Sequence, residues 1–408
     1  MTHAFQGLRI LDFSQVLAGP ACTSYFAMLG ADVIKIENPA SGDQFRNLMK
    51  TDRFAEFGMS PGFMALNFGK RSLAIDLKKP EARDVIFRLI ETADVIVENF
   101  RAGVIDNLGF GYDAVRKVKP DIVYCSVSGY GQEGPKAGAP AYDGAIQASS
   151  GMMSVTGHPE TGPTRAGYTV VDMSTALTAA FAISSALYRR RETGEGQRVD
   201  VAMLDTAMWM MSPLLANFLV GAEAFGLKGN NSPAMTPTSN VFQASDGYLQ
   251  ITGLTDQHAA GIVAALELDA KADPRLASYE AMCAHHDAVK SIFTEIIRRK
   301  PVAYWLAEFS TRKVPHSLIR DFAGVTSDPQ LEHRGIIRDV PVPNSGNAKS
   351  ATVPLIGAAF IADADGPDAF GPPPVLGEHG AAILGEAGFS ADEIATLREA
   401  GVLGEPAG

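Results

Sequence analysis

The segment Gly7–Glu37, GLRILDFSQVLAGPACTSYFAMLGADVIKIE, reads as strand, helix, strand. Arg9–Ser14 is a short apolar run of strand length. Pro20 falls in the first turn of a helix running to about Leu29, with Gly30 as its stop. Asp32–Glu37 (DVIKIE) is strand-like again. The alternation continues outward: a strand over Ser72–Leu77, a helix over Pro80–Thr92, a strand at Asp94–Glu98, a helix at Tyr112–Val118 and a strand at Asp121–Val127. Strands that alternate with helices predict a parallel sheet with right-handed crossovers. Ligands on such sheets bind at the carboxyl ends of the strands.

A Gly-, Pro-, Ser- and Thr-rich stretch, Ser128–Gly167, leads through Tyr168–Val171 to Asp172 and a helix over Met173–Glu192 that stops at Gly194. Gln197–Met203 is a strand and Asp205–Leu219 a helix. The turn at Asp246-Gly247 predicts a hairpin. Ser390 and Glu393 have the spacing of a capping box. The expected organisation is a large Rossmann-like α/β domain begun by residues 1–224, a smaller α+β domain over 225–320, and a return to the large domain over 321–408.

Composition narrows the function. Thirty-five Lys and Arg against 46 Asp and Glu leave a net charge of −11, which argues against a nucleic-acid or anionic-membrane surface. The uncharged stretches Met173–Tyr188 and Thr206–Ala222 fall short of a membrane span and are expected to be buried helices. Three scattered cysteines, Cys22, Cys125 and Cys283, suggest a reducing cytoplasm and no disulfide framework. No metal site is expected: His285-His286 and the scattered histidines lack helical ligand spacing. Gly129–Gly134 matches G-x-G-x-x-G, but Pro135 denies the helix that a dinucleotide fingerprint needs. The turn Gln15–Pro20 holds one glycine, too few for a tight pyrophosphate approach.

Asp172 ends an apolar run and opens a helix. Such an Asp is an N-cap, or, held ionised by the helix dipole and N–H groups, a carboxylate able to act as a covalent nucleophile. Asn99-Phe100-Arg101 stands just past a strand, where a ligand would meet the sheet. Arg71 and Lys78 flank the strand at Ser72–Leu77.

Together these pieces resemble the class III CoA-transferases (CaiB/BaiF type), the family of formyl-CoA and carnitine CoA-transferases. The resemblance rests on the opening βαβ unit, Asn67–Lys78 (NFGKRSLAIDLK), Asp94–Arg101 (DVIVENFR), Tyr168–Asp172 with Gly194–Asp200 (GEGQRVD), and Pro374–His379 (PVLGEH). It implies an interlocked homodimer with coenzyme A and acyl-CoA as substrates and no permanent cofactor. It also implies that Asp172 takes the acyl group from sulfur as a mixed anhydride and then carries CoA as a thioester. An Asp with a reference pKa near 3.9 is ionised for this at neutral pH.

By the same resemblance Val16, Leu17, Ile75 to Lys78, Asn99 and Phe100 contact CoA, and Tyr142 and Asp143 fall in the segment approaching the nucleophile. Asn38 and Asn107 stand where formyl-CoA transferase has phosphate-binding Arg, which leaves Arg46, Arg71, Lys78 and Arg101 as candidates for that charge. The alternative within the family is an acyl-CoA racemase, whose His is expected where Tyr142 stands. Tyr is a poor base at neutral pH, which favours transfer. Gly229–Pro237 lacks the tetraglycine loop of formyl-CoA transferase. Arg165 is a candidate partner for a second carboxylate on a substrate.

Overall fold

A computed structural model describes residues 3–48, 58–221, 224–343 and 352–404. The chain divides into two units: Met1–Met152, Ala166–Ala222 and His333–Gly408 in the first, Met153–Arg165 and Glu223–Glu332 in the second. The return to the first unit therefore comes later than the expected residue 321, and an excursion over Met153–Arg165, not foreseen, belongs to the second unit. That excursion is a small hairpin, Gly157–His158 against Gly162–Pro163.

The first unit is built on a six-stranded sheet of β1 (Arg9–Asp12), β2 (Asp32–Glu37), β3 (Arg71–Ala74), β4 (Val95–Glu98), β5 (Val123–Ser128) and β6 (Gln197–Ala202), in the order β3-β2-β1-β4-β5-β6. Every neighbouring pair is parallel, as the alternation predicted. The strands are apolar on both faces because both are covered. On one face Leu11, Ile34, Ile36, Ile96 and Tyr124 pack with α3 (Ala82–Glu91), α4 (Tyr112–Val118) and the C-terminal Ile383, Leu384 and Ile394. On the other, Ile10, Val33, Val95, Val97, Val123 and Cys125 pack with α1 (Ala18–Met28) and α6 (Val170–Thr193). The side chains of each strand go alternately to the two cores. Between β2 and β3, α2 (Pro61–Asn67) was not foreseen; Ser60 caps it.

Gly30 follows α1 at φ 86° and Gly194 ends α6 at φ 71°, left-handed positions where glycine carries no Cβ penalty. The capping box at Ser390 and Glu393 forms on the last helix. The expected single helix over Asp205–Leu219 is instead two, α7 (Met203–Met210) and α8 (Ser212–Gly221), bent by 77°. Pro213 lacks an N–H and starts a new helix more readily than it continues one.

The C-terminal return is pinned to β2 and β3 by side chains. Gly377 N–H donates to Ser72 Oγ at 3.0 Å and Ser72 N–H to His379 Nδ1 at 3.2 Å. Arg46 donates to the Pro374 carbonyl at 3.0 Å and pairs with Glu37 at 2.7 Å. The Pro374–His379 signature thus docks the tail onto the sheet.

Charges lie buried beneath the loop that follows β1. Asp12 pairs with Lys70 at 3.0 Å, both fully buried, and accepts the Thr23 hydroxyl at 2.7 Å. Burial would raise the Asp12 carboxyl, but Lys70 and Lys35 prevail and hold it at about 2. Removing one partner of such a pair strands the other charge. Asp12→Ala is therefore expected to destabilise the first unit by about 3–5 kcal/mol, measured as a lowered urea midpoint.

The second unit has an antiparallel sheet of β7 (Ser239–Gln243), β8 (Tyr248–Thr252) and β9 (His316–Leu318), with β8 central. Its core gathers Phe242, Leu249, Ile251, Phe293 and Trp305. The expected hairpin turn closes through Ala244 N–H to the Gly247 carbonyl at 2.8 Å, and Asp246 accepts the Val302 N–H at 2.7 Å.

Candidate active site

The strand order reverses direction at β1, with β2 and β3 to one side and β4 onward to the other. That switch point leaves a crevice at the carboxyl ends of β1 and β4. A cavity opens there, lined by Gln15–Ala18 after β1, Asn99–Ala102 after β4, Val127–Gly131 at the end of β5, the segment Gly138–Tyr142, and Asp172. Asn99 ties the first two loops together: its Oδ1 accepts the Gln15 N–H and its Nδ2 donates to the Gln15 carbonyl, both at 2.8 Å. Beside it, Glu98 accepts the Phe100 N–H at 2.9 Å, and burial pushes its carboxyl up to about 7.

Asp172 does not open its helix. α6 begins at Val170, and the residue ahead of it, Thr169, supplies no side-chain cap. The cap comes from elsewhere in the chain. Asp143 opens α5 (Asp143–Ser149) and is 4% exposed. Its Oδ2 accepts the N–H groups of Val171 at 2.8 Å and of Asp172 at 3.1 Å. Its Oδ1 accepts from Gln147 Nε2, and Gln147 Oε1 takes the Ala166 N–H at 2.9 Å. Two N–H groups of the first turn of α6 are thus satisfied by a carboxylate from another element, and Asp172 lines the cavity.

This reverses the expected electrostatics. Burial, and then the neighbouring Asp143 charge, push the Asp172 carboxyl up to about 7. Desolvation and a like charge both oppose ionisation.

The other expected contacts divide sharply. Val16, Leu17, Phe100, Arg101 and Tyr142 line the cavity with Asp172, and Tyr142 is 70% exposed. Asn99 lines it too, but its amide is engaged with Gln15. Asp143 is not among the cavity residues, and its buried carboxylate is engaged by the backbone of α6. Arg71 is at the wrong end of the sheet. It starts β3 and is held at 2.6 Å by Asp32 and 2.8 Å by Glu386 among the amino ends of the strands. Arg46 is locked onto Glu37. Ile75 is 1% exposed in the core. Lys78 is exposed in a turn, with its N–H on Asp76 at 3.1 Å, and is not among the cavity residues. Of the proposed phosphate cations only Arg101 meets the cavity. Lys136, which pattern did not single out, joins it there, packed over the Tyr130 ring. Arg165 is exposed in the second unit.

A parallel α/β sheet with a half-buried carboxyl at a crevice on its switch point is the arrangement of an α/β enzyme. The chain belongs to CoA-transferase family III, whose model matches residues 5–380. Acetyl-CoA:oxalate CoA-transferase of Acetobacter aceti is 35% identical over 399 residues, covering 95% of this chain and 96% of the relative. Succinyl-CoA:mesaconate CoA-transferase of Haloarcula hispanica is 33% identical over 401 residues, covering 94% and 96%. Among solved structures, a CaiB/BaiF family protein from Brucella suis superposes with a TM-score of 0.83 at 30% identity, covering 95% of this chain and 100% of the other. The protein is an acyl-CoA:carboxylate CoA-transferase, moving CoA from a thioester to a free carboxylic acid.

Proposed function

We propose that Asp172 is the nucleophile of that transfer. Its carboxylate attacks the donor thioester carbonyl, the C–S bond breaks, and CoA thiolate leaves an aspartyl–acyl anhydride. The thiolate attacks the Asp172 carbonyl of the anhydride, releasing the donor acid and leaving aspartyl-CoA. The acceptor carboxylate attacks that thioester and expels the thiolate. The thiolate then takes the acceptor acyl group and frees Asp172. Each intermediate keeps a carbonyl activated, so the cycle needs no permanently bound cofactor. CoA is a substrate only.

The observation that carries this is the placement of Asp172: it lines the crevice while its backbone N–H is held by Asp143. A cavity of about 210 Å³ suits the reacting end of a thioester rather than a whole nucleotide-bearing ligand. Among the described residues lining it none is a His, which favours acyl transfer over an α-proton shuttle. Arg101 and Lys136 favour an acceptor with a second negative charge, and a short dicarboxylic acid is our choice, in keeping with the oxalate and mesaconate in the names of the relatives.

The active form is proposed to be an interlocked homodimer. The expected burial of the two apolar stretches holds on one face only: Ala176, Ala179 and Ile183 of α6 and Thr206 and Ala207 of α7 are buried, and the other faces are not. α6 is long and apolar enough to cross a membrane, yet leaves Phe181 75% exposed, and α7 and α8 expose Trp209 at 76% and Val220 at 90%. A second copy covering these faces accounts for them without a bilayer. A reducing cytoplasm is proposed as its compartment; Cys22, Cys125 and Cys283 are free thiols.

The test is a screen of acyl-CoA donors against oxalate, succinate, glutarate and mesaconate without metal or nucleotide. Exchange of CoA between acids supports the assignment; exchange of α-hydrogen with solvent and no CoA transfer overturns it. The same assay checks the electrostatics. Only ionised Asp172 attacks, so a carboxyl titrating at about 7 loses reactive form as pH falls. With the best pair, kcat/KM is expected to rise about tenfold between about pH 6 and pH 8. A flat profile there would mean an Asp with an ordinary carboxyl.

A further inference from the structure

Val16 is a β-branched residue at φ 67°, in the left-handed region that glycine favours. Such a backbone persists only where its surroundings hold it, and it concentrates at functional sites. Here the surroundings are two fully buried charges. The Val16 N–H lies 3.0 and 3.2 Å from the two carboxylate oxygens of Asp43. Asp43 pairs with Lys35 at 2.8 Å, each side chain 0% exposed. Lys35 Nζ in turn donates to the Ser14 carbonyl at 2.9 Å. One ion pair therefore grips the loop on both sides of Gln15, by a carbonyl before it and an N–H after it.

Asp43 is itself fixed. Its own N–H donates to Glu37 at 3.0 Å, and Oδ1 also accepts the Phe45 N–H at 2.9 Å. What the clamp controls is a cavity wall. Gln15, Val16, Leu17 and Ala18 all line the cavity that holds Asp172, and α1 starts at Ala18. If Val16 relaxed to negative φ, Leu17 and the first turn of α1 would be redirected.

The structure assigns Asp43, through its pair with Lys35, as a positioning residue for CoA transfer: it holds Val16 left-handed so that the loop after β1 faces Asp172. This rests on the proposed role of Asp172 but makes a separate demand on the chain. Asp43 touches no substrate, and its effect passes through the backbone of Val16.

The experiment is a backbone rescue in the full chain. Asp43→Asn removes the charge that binds Lys35, and Asp43→Glu keeps the charge but displaces the carboxylate by one methylene. Each is expected to lower kcat at least tenfold with a smaller change in KM. Adding Val16→Gly, which reaches positive φ without a Cβ penalty, is expected to recover kcat at least threefold over the matching single variant. Should Asp43→Asn not fold, Asp43→Glu, with the ion pair retained, carries the same comparison. A structural role alone would lower the thermal midpoint without selective recovery of kcat by glycine. Unchanged kcat in the folded Asp43 variants, or no recovery in the doubles, overturns the assignment. Asp172→Ala, run beside them, separates the two ideas. If it retains transfer, the nucleophile is wrong; if it is inactive and the glycine does not rescue, only the clamp is wrong.

Discussion

Asp172→Ala is expected to lower turnover by on the order of ten-thousand-fold or more while leaving CoA bound, because the variant cannot form the bond on which both halves of the cycle depend. Losses of that size accompany removal of a covalent nucleophile, since binding and orientation alone supply only a residual rate. Asp172→Asn is expected to fare little better. Its amide is nearly the same shape and should leave the fold and the Asp143 contacts intact, so the comparison isolates the nucleophilic oxygen from packing. The measurement is steady-state transfer for both variants, with CoA binding by calorimetry. Retained transfer by either would remove Asp172 from the chemistry.

The second large effect is expected at a residue outside the cavity lining. Asp143→Ala deletes the acceptor for the N–H groups of Val171 and Asp172 and the partner of Gln147. Hydrogen bonds to a charged acceptor contribute about 1.5–3 kcal/mol. If that is lost from the positioned state of Asp172, kcat should fall by about 10- to 100-fold. Asp143→Asn separates position from charge. It keeps one acceptor oxygen but removes the like charge that helps push the Asp172 carboxyl up. The pH profile of kcat/KM should therefore move to lower pH, while the rate at its plateau falls less than in Asp143→Ala. A profile unmoved by Asp143→Asn would show that burial alone sets the Asp172 carboxyl.

The parallel sheet was legible because its strands carry a local signature: short apolar runs between Gly, Pro and Asp. So was the position of the cavity loops, since Gln15–Leu17 and Asn99–Arg101 directly follow strands. What the pattern could not give is who neutralises whom. Arg71, Arg46 and Lys78 looked like free cations near a ligand. Two of them are spent on Glu386, Asp32 and Glu37, partners settled by long-range packing rather than spacing.

Asp172 looked like an N-cap for the same reason: its true cap, Asp143, lies on another element. The signals that were present were modest. Asp143 and Gln147 are four apart on one short helix, a spacing that brings side chains together. Lys35 stands between Ile34 and Ile36 in an apolar strand, and a charge there must find a buried partner. The exposed faces of α6 to α8 were hidden by the opposite rule, because apolar runs are ordinarily assumed to be covered by their own chain.

The most direct test follows an oxygen atom. If Asp172 attacks and is attacked as proposed, the bridging oxygen of the second anhydride comes from the acceptor and stays on Asp172 when CoA departs with the acyl group. Protein turned over with heavy-oxygen-labelled acceptor acid, digested and analysed by mass spectrometry, should carry the label in the peptide at the Asp172 side chain. Complete CoA transfer with no label on the protein, or with label on a different side chain, would contradict the account.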